Sequence, residues 1–363
     1  MTSRAQILAR AADLRARFET AGARPVEIPI LQPAEPLLDL YGEDIRARAY
    51  VTFDALRGEQ VLRPDFTVPV VQTHMTHGAG PARYTYSGEV FRRQEDDPDR
   101  DNEYIQVGYE VFDDHNPADA DAEVFALFAE VLTGLNLCAS TGDIGILMAA
   151  VLGLDTTDRR KTALMRHIWR PHRFRALLDR FAGRVPIPAS RAALLAADDP
   201  WARAGPDIGR RTVAEIDRRI DALRADAATK PIGERDLSAV ETLLSVRETA
   251  PCALARMRDI AIDLPAITPA LDRLNARLSA LSARGVDVDQ LGFEASYGLS
   301  LMEYYDGFVF GFYAPTRPDL PPVASGGRYD ALTRRLGQGT EIPAVGAVLR
   351  PGLMLTLEAT HDR

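Results

Sequence analysis

Three short groups of polar residues in this chain have the types and spacing to hold a small charged ligand. In YIQVGYEVF (104–112), Gln106, Gly108 and Glu110 alternate with Ile105, Val107, Tyr109 and Val111, so in a strand the two sets fall on opposite faces. The apolar set reads as core. The polar set reads as a floor, with a glycine removing bulk between an amide and a carboxylate so that a ligand could rest against backbone. The plainer alternative is a half-buried antiparallel strand with one solvated face. In LRPDFT (62–67), Pro64 biases Arg63 towards an extended conformation. Asp65 and Thr67 then stand two residues apart on one side of a rigid corner, an arrangement suited to a cation. GGRYDAL (326–332), taken alone, is a glycine turn opening a helix, with Asp330 as an early helical acid. Arg92 has Asp96 and Asp97 close by in sequence and could simply pair with them. His74 and His77 lack a third ligand, and Cys138 and Cys252 lack metal-type spacing, so no metal site, disulfide or cofactor is expected.

These groups need a frame. The stretch 83–112 reads as two long strands joined by the acidic, turn-rich loop EDDPDRDN, an antiparallel hairpin. Before it, Ile7, Ala11, Leu14 and Phe18 mark one face of an amphipathic helix that Ser3 could cap. VEIPI (26–30) reads as a strand with Pro29 at an edge, and 50–67 as a short hairpin turning at Arg57-Gly58. After the central hairpin come a helix at AEVFALFAEVLTGL and a strand near Gly142 to Met148. Between 155 and 260 helical spacing prevails, as at Val213, Ile216, Ile220 and Leu223, with prolines as punctuation. The expected organisation is therefore a core of residues 1–154 and 261–363 interrupted by a helical insertion, 155–260. Leu271, Leu274, Leu278 and Leu281 mark a returning helix. Strand character resumes at YGLSLMEYYDGFVFGFYA, and IPAVGAVLRPGLMLTLEA reads as a strand closing on a C-terminal helix.

Composition narrows the function classes. The chain has 363 residues, 46% hydrophobic and 26% charged, with a formal net charge of −9. That is enough to bury a substantial core, and the negative balance argues against a general nucleic-acid-binding surface. The start alternates charge with apolar residues in place of a signal-type apolar run, and no stretch reaches the roughly 18 apolar residues of a spanning helix. A cytoplasmic protein without membrane contact is expected.

Read together, the separated motifs resemble the class II aminoacyl-tRNA synthetase core, and specifically that of histidyl-tRNA synthetases. LRPDFT is similar to that family's LRPEGT corner, and GEVFRRQE (88–95) to its second motif, with Arg92 as the motif arginine. YIQVGYEVF matches the strand that offers a glutamine and a glutamate to histidine. LMEYYDGFVF (301–310) resembles the RGLDYY strand, GGRYDAL the second histidine signature, and PAVGAVL (343–349) the start of the third motif. The resemblance implies an α+β fold, a six- or seven-stranded, mainly antiparallel sheet flanked by helices. It also implies dimerisation with a second copy through the N-terminal segment.

The departures carry the functional expectation. Where the third motif should place an arginine over adenine, the count from Pro343 reaches Leu353, and Arg350, three residues earlier, is expected to aim elsewhere. Gln94 replaces an acid of the second motif, Ser300 replaces the arginine before the paired tyrosines, and no anticodon-binding domain is expected. The histidine contacts persist. By resemblance, Asp65, Thr67 and Gln106 would meet the ammonium, and Glu110 and Tyr305 the ring. Glu303 would share a strand face with Tyr305, and Arg92, Tyr304, Gly326 and Arg328 complete the set. Ligand contacts kept while reaction contacts are lost resemble one group, the ATP phosphoribosyltransferase regulatory subunits. That resemblance implies no catalytic residues, L-histidine as ligand, the short catalytic subunit of ATP phosphoribosyltransferase as partner, and no tRNA. It leaves open whether feedback histidine sits in this pocket or at the subunit contact. The rival is a truncated synthetase-like enzyme that still activates an amino acid with ATP.

Overall fold

The computed structural model describes residues 3–77, 80–94, 100–202, 204–205, 209–299 and 303–361. Ser300, Asp96 and Asp97 lie outside these. The first helix, α1 (Arg4–Thr20), begins with the expected cap: Ser3 and Gln6 form a reciprocal capping box, and Ala11, Leu14 and Phe18 are buried. Two short strands follow, β1 (Arg24–Pro25) and β2 (Leu31–Pro33). The single strand expected over 26–30 is therefore absent, consistent with the donor that Pro29 lacks. After α2 (Ala34–Arg48), β3 (Tyr50–Asp54) and β4 (Gly58–Leu62) form the expected hairpin, and β2 completes a small three-stranded sheet with them.

Helix α3 (Thr67–His77) leaves the LRPDFT corner and leads to the long hairpin β5 (Ala82–Phe91) and β6 (Glu103–Phe112). Then come α4 (Pro117–Val131), β7 (Cys138–Asp143) and α5 (Ile144–Gly153), so the strand expected near 142–148 ends where that helix begins. The segment from 155 to 260 holds α6 (Asp158–Arg166), α7 (Pro171–Phe181), α8 (Ala189–Ala196), α9 (Val213–Ala228) and α10 (Glu234–Leu244), and its expected end at 260 falls inside α11 (Ala250–Asp263). It also contains a three-residue strand, β8 (Arg247–Thr249), at the edge of the main sheet. The chain closes with α12 (Thr268–Ala283), β9 (Gly292–Glu294), β10 (Phe308–Tyr313), β11 (Ala324–Arg328), α13 (Asp330–Leu336), β12 (Ala344–Leu349) and α14 (Pro351–His361).

The main sheet has nine strands rather than six or seven, in the order β1-β5-β6-β12-β11-β10-β7-β9-β8. It is mixed: β1 runs parallel to β5 and β7 to β9, while the other neighbours are antiparallel. One face packs on helices. There Phe18 of α1 lies 5.4 Å from Tyr109 and 5.3 Å from Phe128 of α4, and Phe125 lies 5.2 Å from Phe310. The register carries the opposite face across five strands: Tyr86 faces Gly108, Glu110 faces Gly346, Gly346 faces Gly327, and Gly327 faces Val309. Glycines at these positions hollow out a trough.

Candidate functional site

The trough is covered, not open to solvent. Gln106 and Glu110 have no exposed surface, which overturns both the open floor and the solvated face expected from alternation alone. The Tyr86 ring lies across Gly108, where a Cβ would fall 2.1 Å from the ring carbon Cζ. Behind Tyr86, Phe66 stacks at 4.3 Å, and the buried Arg63 guanidinium stacks on Phe66 at 4.1 Å. Arg63 also donates to the carbonyls of Glu89 (2.7 Å) and Ile28. The LRPDFT corner is thus clamped to the hairpin by a cation on two stacked rings.

Glu110 is the centre. Its Oε1 accepts from Thr67 Oγ1 (2.9 Å) and the Tyr86 hydroxyl (2.8 Å), and its Oε2 from the Tyr329 hydroxyl (2.5 Å). Its carboxylate lies over Gly346, where a Cβ would come within 1.4 Å of Oε2. Burial lifts the Glu110 pKa to about 7, against the three hydroxyl bonds that favour the anion, and nearby Asp65 adds to the rise. Asp65, 3% exposed, accepts from the Tyr304 hydroxyl at 3.2 Å and lies 4.0 Å from the Arg92 guanidinium. Arg92 is fixed by its Nε bond to the Pro64 carbonyl (2.6 Å). Tyr305 meets Tyr304 edge to face at 4.9 Å and reaches within 2.8 Å of a Cβ built at Gly327.

Gln106 stands apart energetically. Both its Nε2 and its Oε1 are buried without a hydrogen-bond partner among the described residues. An amide in that state costs about 1–3 kcal/mol in a folded protein, and native interiors seldom keep one without a use.

The structure therefore brings together Asp65, Thr67, Arg92, Gln106, Glu110, Tyr304 and Tyr305. Three expected members are elsewhere. Arg328 lies on the helix-facing side of β11, where it holds Asp121 of α4 (2.7 and 3.0 Å), Asp330 (2.9 Å) and the Pro117 carbonyl (2.8 Å). Asp121 is shared with Arg277 of α12, which also binds Asp143. Gly326 sits in β11, not in a turn, on that same side, against Ala347. Gly327 is the glycine that faces the trough. Glu303 is not on a strand, and it pairs with Arg170 of the helical segment at 3.4 Å. The cause of all three misplacements is local: reading GGR as a turn left its alternation unassigned, and the strand expected at 301–307 begins only at Phe308. Tyr86, Tyr329, Arg63 and Gly346 were not expected. Tyr86 had a signal in the cross-strand glycine its ring requires; the others depend on long-range register.

Next to Arg92 a second cavity of about 770 Å³ opens between the hairpin and α14. Arg4, Arg48, Arg92, Arg100, Arg317 and Arg350 line it, with Asp101, Glu103 and Asp319. Arg350 was expected to point away, but it shares this wall with Arg92. It donates to the Pro322 carbonyl, and burial and Arg92 lower its pKa while Tyr104 opposes them. Leu353 lies on the same wall.

The sheet, its glycine trough and the buried Gln106–Glu110 pair define a histidyl-tRNA synthetase-like core, and the model of the family described as histidyl-tRNA synthetase matches residues 3–198 and 210–352. The fold agrees with solved structures. An ATP phosphoribosyltransferase regulatory subunit/histidyl-tRNA synthetase from Bacillus halodurans superposes with a TM-score of 0.69 at 21% identity, covering 98% of this chain and 80% of that one. Histidyl-tRNA synthetase from Nostoc sp. gives 0.62 at 14%, covering 98% and 72%. Among curated sequences, the ATP phosphoribosyltransferase regulatory subunit of Mesorhizobium japonicum is 33% identical, covering 95% of this chain and 96% of its own. That of Brucella anthropi is also 33% identical, covering 92% and 93%. The chain belongs to the ATP phosphoribosyltransferase regulatory subunit family.

Proposed function

We propose that this chain binds L-histidine in the trough and conveys that binding to a separate short catalytic subunit of ATP phosphoribosyltransferase, in the cytoplasm, without catalysing the reaction itself. The observation that carries the proposal is the unpartnered amide of Gln106 on the same strand face as the protonatable Glu110, four residues on and beyond Gly108. Histidine supplies a partner that the Gln106 amide lacks. Its ammonium donates to the Gln106 oxygen and to Asp65, and its imidazole meets Glu110 and the Tyr305 hydroxyl. Charge-assisted bonds of this type contribute about 1.5–3 kcal/mol each.

Feedback then requires only linkage. Histidine must bind one state of the assembly better than another, by about 1–3 kcal/mol in typical cases, and the partner's substrates must oppose it to the same extent. Self-association in the assembly is supported by an apolar edge: Val51, Phe53 and Leu56 of the small hairpin are exposed, Phe53 to 77% and Leu56 to 93%. The test is co-expression with the short catalytic subunit from the same cell. Phosphoribosyl transfer that needs both chains and falls on adding histidine is expected; full activity of the catalytic subunit alone would refute the reading.

Arg350 beside Arg92 favours a second reading, amino-acid activation with ATP in the larger cavity. Histidine-dependent exchange of pyrophosphate into ATP separates the two. The regulatory reading expects histidine binding without exchange.

A further inference from the structure

The helical segment contains a second basic concavity, far in sequence from the trough. Helices α6, α7, α8 and α9 converge on a cavity of about 200 Å³ lined by Arg159, Arg166, Arg180, Arg191 and Arg219, with Arg160 at its base. Asp226 is the one carboxylate among the described residues lining it, and Asp226 is already taken. Arg160, 6% exposed, binds its carboxylate at 2.6 Å and its carbonyl at 2.8 Å, and also the carbonyl of Lys230 at 2.9 Å. That pair explains the folding role of Arg160. It leaves the five other guanidiniums without a carboxylate in the cavity.

Arg180 shows the consequence. Its Nε is buried and without a hydrogen-bond partner among the described residues, and its guanidinium lies 5.0 Å from the Phe181 ring centre. Burial and the like charges of Arg191, Arg160 and Arg219 lower its pKa, with Asp226 the opposing influence. A fold gains nothing from gathering like charges around a hollow. An anion with several acceptor oxygens resolves both the repulsion and the idle donor, because guanidinium forks match phosphoryl geometry.

We propose that this cavity binds a small phosphorylated anion carrying one or two phosphoryl groups, and so forms a second ligand site distinct from the trough. Its size selects the class: about 200 Å³ is below the 300–1,000 Å³ of pockets for drug-sized ligands. The excess of five cations favours a ligand of charge −2 or more negative, and pyrophosphate fits better than a carboxylate.

The test is calorimetry and thermal shift on the full chain with inorganic pyrophosphate, inorganic phosphate and ribose 5-phosphate, against sodium chloride at matched ionic strength. Binding of pyrophosphate or of the phosphomonoester is expected, and the stronger of the two identifies the source. Arg180→Gln and the exposed Arg219→Glu should each weaken it at least ten-fold, while the thermal shift caused by histidine stays unchanged. Arg219→Glu guards against a folding defect, since that side chain is on the surface. Three results would overturn the proposal: no binding beyond the chloride control, binding indifferent to both variants but abolished by Arg92→Gln, or a short duplex RNA that binds more tightly than pyrophosphate and loses affinity in Arg180→Gln.

Discussion

Replacing Gln106 by leucine separates stability from function in one measurement. Gln106 has no exposed surface, and neither amide atom has a partner among the described residues. The free protein therefore carries the desolvation cost of a donor and an acceptor, about 1–3 kcal/mol in protein interiors. Leucine has similar volume and no polar atoms. It fits between Gly88 across the strand pair and the rings above, so Gln106→Leu should stabilise the histidine-free protein by about 1–2 kcal/mol, less than the full cost because branching alters the fit. For a chain of 363 residues that corresponds to roughly 1–3 °C in melting temperature. Histidine should raise that temperature much less in the variant, because the ammonium loses one of its two acceptors, a charge-assisted bond of about 1.5–3 kcal/mol. Scanning fluorimetry with and without histidine, checked by urea unfolding, reads both effects. A variant destabilised by a comparable amount would mean that the amide is satisfied in the native state. A variant still fully stabilised by histidine would remove Gln106 from the site. The trade of stability for binding expected here is a general mark of ligand sites.

Glu110 predicts a pH dependence of definite sign. With a folded pKa of about 7 against an ordinary 4.5, the folded state holds a proton that the unfolded state gives up between those values. Its contribution is therefore intact below about pH 4.5 and lost as pH rises through 7, about 3 kcal/mol in all at 1.36 kcal/mol per unit. Glu110→Gln should flatten the urea-derived stability profile between pH 5 and 8 relative to the parent; parallel profiles would contradict the raised pKa. Gly346→Ala should push the Glu110 carboxylate off its three hydroxyls, because the new methyl would sit 1.4 Å from Oε2, and cost about 2–4 kcal/mol together with histidine binding. Unchanged stability in urea would show that the strands can part there. Arg328→Ala should cost about 3–5 kcal/mol by stripping a buried partner from Asp121, yet leave histidine affinity of the folded fraction unaltered by calorimetry. Lost affinity at full folding would return Arg328 to the site.

Much of the site was legible as local pattern. The alternation in 104–112 identified Gln106 and Glu110 as neighbours on one face, and the proline corner set Asp65 and Thr67 together. Both readings depend on a few consecutive residues, where chain geometry leaves little choice. Arg328 and Gly326 failed for a related reason. Two glycines remove the side chains that would reveal a strand, so the same letters serve a turn or a trough.

The amino-acid sequence by itself determined the helix faces, the central hairpin and the candidate polar set, because period and turn chemistry act over short distances. Only the tertiary structure decided which face each strand turns to the trough, that Tyr86 of the adjacent strand and Tyr329 from 219 residues away both reach Glu110, and that Arg350 joins Arg92. Those outcomes depend on cross-strand register and on which charges are desolvated together, and neither quantity exists until the sheet has formed.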